Sequence, residues 1–171
     1  KSGLMWVHQR RAHIRVLFEK YRQQINERRS ASQGLLFPER VELTMSEALT
    51  LETVSEDLVS LGFDISSLGG GTFALNGVPV GIEGLQPVKL LSDIIHGAME
   101  QAGDARDKVC DRIAATMARE VAIVAGQLLS HEEMGALIDD LFNTSMPSLT
   151  PDGKPVIHIM NDAEIDRVFL K

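Results

Sequence analysis

The spacing of hydrophobic residues changes repeatedly along the chain, and the changes predict alternating strands and helices. Residues 3–8, GLMWVH, form an apolar run that predicts a strand. The charged segment that follows carries Leu17, Tyr21 and Ile25 at helical spacing, which predicts a helix. Residues 30–34, SASQG, then predict a loop.

The next helix is predicted from a single apolar stripe, which consists of Leu51, Val54, Leu58 and Leu61. A short strand over residues 41–44 precedes this helix. Ser46 can cap its first turn, and Gly62 can end it in the left-handed conformation.

A run of three glycines, residues 69–71, separates two further predicted strands. Phe63 and Ile65 alternate with polar neighbours before it, and residues 72–80 follow it. A phosphate-binding loop would need a following Gly-Lys-Ser/Thr and a helix, and the sequence has neither. The glycines therefore predict a tight turn.

Two or three further helices are predicted, near residues 87–101, 104–127 and 130–142. Ser130 and Glu133 form a capping-box pattern at the start of the third. A polar loop then leads to a strand over residues 156–160, and Asn161 with Glu164 opens a last helix. Because strands and helices are segregated rather than repeated as βαβ units, the predicted fold class is α+β.

Composition narrows the class of protein. The 171 residues are 44% hydrophobic and 24% charged, as in ordinary globular chains. No apolar run approaches the roughly 18 residues that a membrane span needs, so no membrane association is expected. Cys110 is the only cysteine, which excludes an internal disulfide and suits a reducing cytoplasm. Because the chain starts at Lys1 without Met, we expect it to be a fragment of a longer protein.

The net charge of −7 is distributed unevenly. Residues 1–29 carry a local balance of +6, which leaves −13 for the remainder. This basic segment is either a solvated helix face or a contact for phosphate groups, and DNA contact is a possible role for Arg10, Arg11 and Arg15. The five histidines lack the spacing of a helical zinc site, and no nucleophile motif is present.

Six blocks of the sequence, taken in order, are distinctive: WVHQRRAHIRVLFEKY, QGLLFP, SEALTLETVSEDLVSLGFDI, GGGTFALNGVPVG, IAATMAREVAIVAGQLLSHEEM and PDGKPVIHIM. Together they resemble the C-terminal domain of the MutL mismatch-repair family. They occur in the family's order and cover essentially the whole chain. The resemblance implies a dimerisation lobe at residues 1–38 and 113–171, with an inserted external lobe at 39–112.

Metal-ligating groups of the nuclease-active members of that family are replaced here. The first family motif, Asp-Gln-His-Ala-x2-Glu-x4-Glu, has its Asp, His and first Glu at His8, Arg10 and Ile14. The Cys of Ala-Cys-Arg falls at Arg119, and the Cys and His of Cys-Pro-His-Gly-Arg-Pro fall at Thr150 and Asp152. A guanidinium repels a divalent cation and an isoleucine cannot ligate one. The resemblance thus implies no metal site and no enzymatic activity in this fragment, although His8, Asp152 and Glu19 offer an alternative set of ligands.

Residues 33–38, QGLLFP, resemble the family's motif for binding the DNA polymerase sliding clamp. The motif would use Gln33 as an amide anchor and Leu35, Leu36, Phe37 and Pro38 as apolar contacts. The alternative is that these apolar side chains enter the core of the domain. The sequence alone leaves both open.

By resemblance, we expect a homodimer that couples mismatch recognition by MutS to downstream strand removal in the cytoplasm. The candidate dimer contacts are apolar residues near the C-terminus: Val156, Ile157, Ile159, Ile165, Val168 and Phe169. The fragment itself is expected to need no cofactor. ATP and magnesium would bind an N-terminal ATPase domain outside it, and DNA would bind mainly to the full-length dimer. The alternative function is metal-dependent DNA nicking.

Overall fold

The computed structural model describes residues 3–28, 31–82, 84–100 and 106–169, with side chains of the last helix described up to residue 167. The strands are β1 (Gly3–Val7), β2 (Ser32–Glu42), β3 (Asp64–Gly69), β4 (Thr72–Pro79) and β5 (Ile157–Asn161). The helices are α1 (Gln9–Glu27), α2 (Met45–Leu61), α3 (Pro87–Met99), α4 (Arg106–Val121), α5 (His131–Phe142) and α6 (Asp162–Phe169). The mixed α and β composition confirms the predicted fold class.

Helix boundaries follow local capping chemistry. The cap of α2 is Thr44 and not the predicted Ser46, since Thr44 and Glu47 form a reciprocal capping box. Gly62 ends α2 with φ of 105°, as predicted. The Ser130 capping box of α5 is also confirmed. By contrast, α4 ends at Val121, six residues before the predicted boundary.

The chain divides into two compact units. The terminal unit consists of Lys1–Leu17 and Ala122–Lys171, and the central unit consists of Phe18–Val121. The central unit is therefore inserted in the sequence of the terminal unit.

In the terminal unit, β1 and β5 form a two-stranded antiparallel ribbon, which we call the terminal ribbon. A small core lies beside it, formed by the buried residues Ala12, Leu141 and Val156 with partly buried neighbours that include Val7 and Ile157. An isolated two-stranded sheet is only marginally stable in water, so this ribbon depends on what packs against it.

In the central unit, the sheet has the order β2-β4-β3, and every pair is antiparallel. The predicted glycine turn joins β3 to β4, where Gly69, Gly70 and Gly71 all have positive φ. Helices α2, α3 and α4 supply much of the core, whose largest fully buried side chains are Leu58, Leu61, Phe63, Leu75, Leu91, Ile94, Ile95, Ile113 and Met117. Across the residues described, every helix is too short or too polar to traverse a bilayer.

Candidate functional site

Arg10, which stands where the family motif has a metal-binding His, forms hydrogen bonds to the protein backbone. It lies in the first turn of α1, and its guanidinium donates to the carbonyls of Ala122 (2.9 Å) and Ile123 (2.8 Å). On the same helix, His13 accepts a hydrogen bond at its Nδ1 from the Ile123 amide, at 3.0 Å. These side chains fasten the segment that begins at Ala122 to the start of α1.

The other two arginines predicted as DNA contacts also bind carbonyl groups of the terminal unit. Arg11 donates to the Pro155 carbonyl at 2.8 Å, and Arg15 donates from Nε to the Leu149 carbonyl at 2.7 Å. Arg15 is only 6% exposed, so its side chain cannot reach a phosphate group on the surface. The prediction of DNA contact by Arg15 is therefore corrected to a structural role, because a buried guanidinium requires acceptors.

The turn at residues 150–155 is closed by its own side chains. The buried Thr150 hydroxyl donates to Asp152 Oδ1 (2.6 Å) and accepts from the Lys154 amide (2.9 Å). Lys154 Nζ lies 2.7 Å from the other carboxylate oxygen. The hydrogen bonds from Lys154 and then Thr150 lower the pKa of Asp152 to about 2. Both carboxylate oxygens of Asp152 are thus bound to residues of the turn itself. Gly153, in the same turn, has a φ of 78°.

The donor set at the motif positions does not fit a divalent cation. Arg10 contributes a positive charge, and Ile14 has no ligating atom. Asp152 is held within its turn, while the exposed His8 accepts a long hydrogen bond from the Arg11 amide at its Nδ1 (3.4 Å). Over the described part of the chain, no three His, Cys, Asp or Glu side chains are grouped so as to hold a metal ion, so the alternative ligand set is not formed. Arg119 lies in the last turn of α4, in the central unit.

The segment QGLLFP bulges out of strand β2. Gly34 pairs with Gly77 and Glu39 pairs with Leu75, so four residues of β2 stand opposite the single residue Asn76. Within this bulge, Leu36 is 88% exposed and Phe37 is 80% exposed. Leu35 is half-buried, and Gln33 and Pro38 are exposed. The alternative that Leu36 and Phe37 enter the core is therefore wrong.

The terminal ribbon exposes large apolar side chains on both of its faces. Leu4 and Trp6 lie on one face, where Trp6 stands opposite His158, and Met5 and Ile159 stand opposite each other on the other face. Trp6 is 57% exposed and Ile159 is 67% exposed. Large apolar side chains that are exposed together on a two-stranded ribbon make it a candidate interaction surface.

The candidate dimer contacts near the C-terminus occupy different environments. Val156 is 2% exposed within the core of the terminal unit, so its proposed role as a contact is corrected to core packing. Ile157 packs partly against that core, Ile165 is half-buried and Ile159 is exposed. The side chains of Val168 and Phe169 lie outside the described residues. The sequence interpretation did not single out the exposed apolar side chains of β1, although its run of apolar residues without polar alternation was a usable signal.

Comparison with known proteins assigns the family. The sequence model of one protein family, the MutL C-terminal dimerisation domain, matches residues 1–129. The chain belongs to the MutL C-terminal dimerisation domain family. It is 51% identical over 169 residues to the DNA mismatch repair protein MutL of Bacteroides fragilis, 47% to that of Phocaeicola vulgatus and 37% to that of Chlorobium limicola. Each alignment covers 99% of this chain and 27% of the relative.

The relatives extend the MutL likeness beyond the family match. The family model ends before α5, β5 and α6, whereas the alignments to the MutL proteins include nearly all of these elements. The terminal ribbon combines β1, which is inside the family match, with β5, which is beyond it. The chain spans about a quarter of the length of these relatives, at 27%.

Proposed function

We propose that this chain is the dimerisation domain of a DNA mismatch repair protein, and that the terminal ribbon provides the contact between two copies. The observation that supports this function most directly is the apolar surface on both faces of a two-stranded ribbon, in a member of a dimerisation family. A second copy would bury Leu4, Trp6 and Ile159, which water contacts in the single chain. Interfaces of obligate homodimers are typically rich in such apolar side chains.

The dimer has a role in the full-length protein that follows from the family. Two linked chains would bring together two N-terminal ATPase domains, which would bind ATP and magnesium outside the present residues and close around DNA. In this way the protein would couple recognition of a mismatch by MutS to removal of the strand, in the cytoplasm. DNA would be held mainly by the full-length dimer, since Arg10, Arg11 and Arg15 already bind backbone carbonyls.

Light scattering tests the dimer directly. We expect the chain at tens of micromolar to elute with twice its mass of 18.8 kDa in multi-angle light scattering. The reason is that a dimer held by an obligate apolar interface does not dissociate at such concentrations. A single 18.8 kDa species over that range would contradict the proposal.

We also propose that this fragment contributes no nuclease activity. Phosphodiester hydrolysis by the family's metal mechanism needs several ligands to hold cations beside the reacting phosphate. At the corresponding positions, Arg10 binds two carbonyls and Asp152 closes a turn. The residues are thus used to stabilise the terminal unit. Among the described residues, no group of metal ligands supports the alternative function of DNA nicking.

Restoring one ligand should leave the protein inactive as a nuclease. We expect full-length protein with Arg10→His to nick supercoiled plasmid in manganese no faster than the unmodified protein, because the other ligand positions stay unsuitable. The measurement is the rate of conversion to open circles, with a nuclease-active relative as the positive control and Arg10→Lys as a matched variant. Nicking by Arg10→His above the Arg10→Lys background would show that the other ligands are still in place.

For the exposed bulge of β2, we propose binding to the DNA polymerase sliding clamp. A groove on the clamp would accept Leu36 and Phe37 as apolar plugs and Gln33 as the amide anchor, a mode in which a few side chains carry most of the affinity. The exposure of Leu36 and Phe37 supports this proposal, because such side chains are otherwise costly to leave in water.

A further inference from the structure

An apolar groove lies in the central unit between α2 and the edge strand β3. It encloses a cavity of about 250 Å3 whose floor includes Leu58, Phe63 and Phe73, all buried. The cavity is open to solvent beside Ile65 and Ser67 of β3, which are half-buried and exposed respectively. The groove is thus lined by the core of the unit at its base and by an accessible strand along one side.

The position of β3 in the sheet makes its backbone available for pairing. The sheet order is β2-β4-β3, so within the described residues β3 is hydrogen-bonded to β4 alone. Ile65 and Ser67 are two residues apart and therefore project from the same face of the strand, toward the cavity. An extended chain paired with β3 would project every second side chain over the same cavity.

The negative charge beside the groove favours a ligand that carries a positive charge. Helix α2 carries four acidic residues and no Lys or Arg. Three of them, Glu47, Glu56 and Asp57, lie 3.0 Å or less from a His or Arg side chain. The fourth, Glu52, is exposed, lines the cavity and has no ion-pair partner within the described residues. A cation on the ligand beside its apolar plugs would complement this carboxylate.

We propose that this groove binds an extended segment of a partner protein, which adds a strand to β3, inserts aliphatic side chains at alternate positions and places a Lys or Arg against Glu52. Main-chain hydrogen bonds to an edge strand supply affinity in such complexes, and the pockets for alternate side chains supply specificity. A second copy of this chain is disfavoured as the occupant, because it would bring together two copies of the acidic helix α2.

Selection from a library of random dodecapeptides displayed on phage tests the proposal without a known partner. We expect enrichment, on the intact chain, of peptides with aliphatic residues at alternate positions and a basic residue among them. The enriched peptides are then synthesised with a fluorophore, and their dissociation constants are measured by anisotropy. With Glu52→Lys, we expect the dissociation constant to rise about tenfold or more, since attraction becomes repulsion. Asp140→Lys, which changes an exposed carboxylate on α5, should leave it unchanged.

A second pair of variants tests the location. Ser55 is exposed on α2 and lines the cavity, so Ser55→Trp should fill the groove and abolish binding. Ser46→Trp, at an exposed position near the start of the same helix, should bind as the unmodified chain does. Failure to enrich any peptide, or equal binding to the Ser55→Trp chain, would overturn the proposal. Self-association that Ser55→Trp removes would overturn it too, because the groove would then join two copies.

Discussion

Replacing Gln33 and Leu36 by Ala is expected to weaken binding of the chain to the sliding clamp by some thirty- to a thousand-fold. The loss corresponds to roughly 2 to 4 kcal/mol, because a short linear motif concentrates its binding free energy in a few side chains. Both side chains are exposed in the chain itself, and Leu36 is 88% exposed. The melting temperature and the dimer should therefore remain as they were.

Surface plasmon resonance against immobilised clamp, together with thermal melting of the same samples, measures this prediction. Leu49→Ala is the matched control, since Leu49 is 66% exposed in the same unit but lies outside the bulge. Unchanged clamp affinity in the double variant would remove QGLLFP from the functional surfaces. A large loss of thermal stability would instead show that Leu36 packs against the protein, because truncating a buried leucine leaves a cavity.

Placing carboxylates on the terminal ribbon should convert the dimer to monomers. Trp6→Glu combined with Ile159→Glu introduces one charge on each face of the ribbon. Burying unpaired charges against a second copy costs several kcal/mol, so we expect the dissociation constant to rise by on the order of a thousandfold or more. The fold should persist, because the two side chains are 57% and 67% exposed in the single chain.

Light scattering over a concentration series measures the change in mass, and far-ultraviolet circular dichroism checks the fold. Met45→Glu with Val80→Glu is the matched control, since these residues are 90% and 55% exposed and lie in the central unit. The control should remain dimeric. If the ribbon variant also kept twice the chain mass with intact circular dichroism, the dimer contact would have to lie elsewhere.

Local patterns were sufficient to predict most of the elements. The stripe that begins at Leu51 predicted α2, the Ser130 capping box predicted the start of α5, and the glycine run predicted the turn between β3 and β4. Such signals depend on neighbours within about four residues, so they can be identified from the sequence alone. Helix boundaries were harder to predict, as the shift of the α2 cap to Thr44 shows, because Thr44 and Ser46 lie two residues apart and either hydroxyl can cap a helix.

The environment of each candidate site residue depended on contacts distant in sequence. The sequence around Val156 does not indicate that this residue is buried beside Ala12. The sequence around Arg15 likewise does not indicate that its side chain binds the Leu149 carbonyl. An apolar residue in a short strand suits a core and an interface equally well, because both remove it from water. The position of β1 opposite β5, which leaves Trp6 exposed, likewise required the pairing of the two ends of the chain.

Residue identity and spacing were enough to establish the family and the order of elements, and the family resemblance places Arg10 and Ile14 at metal-ligand positions. What these two side chains do instead, and which apolar residues remain exposed, followed from contacts made in the fold. Arg10 reaches two carbonyls more than a hundred residues away in sequence, and the bulge of β2 exposes Leu36 because its partner strand offers only Asn76 there. Hydrogen bonding and burial are properties of neighbours in space, and folding alone brings those neighbours together.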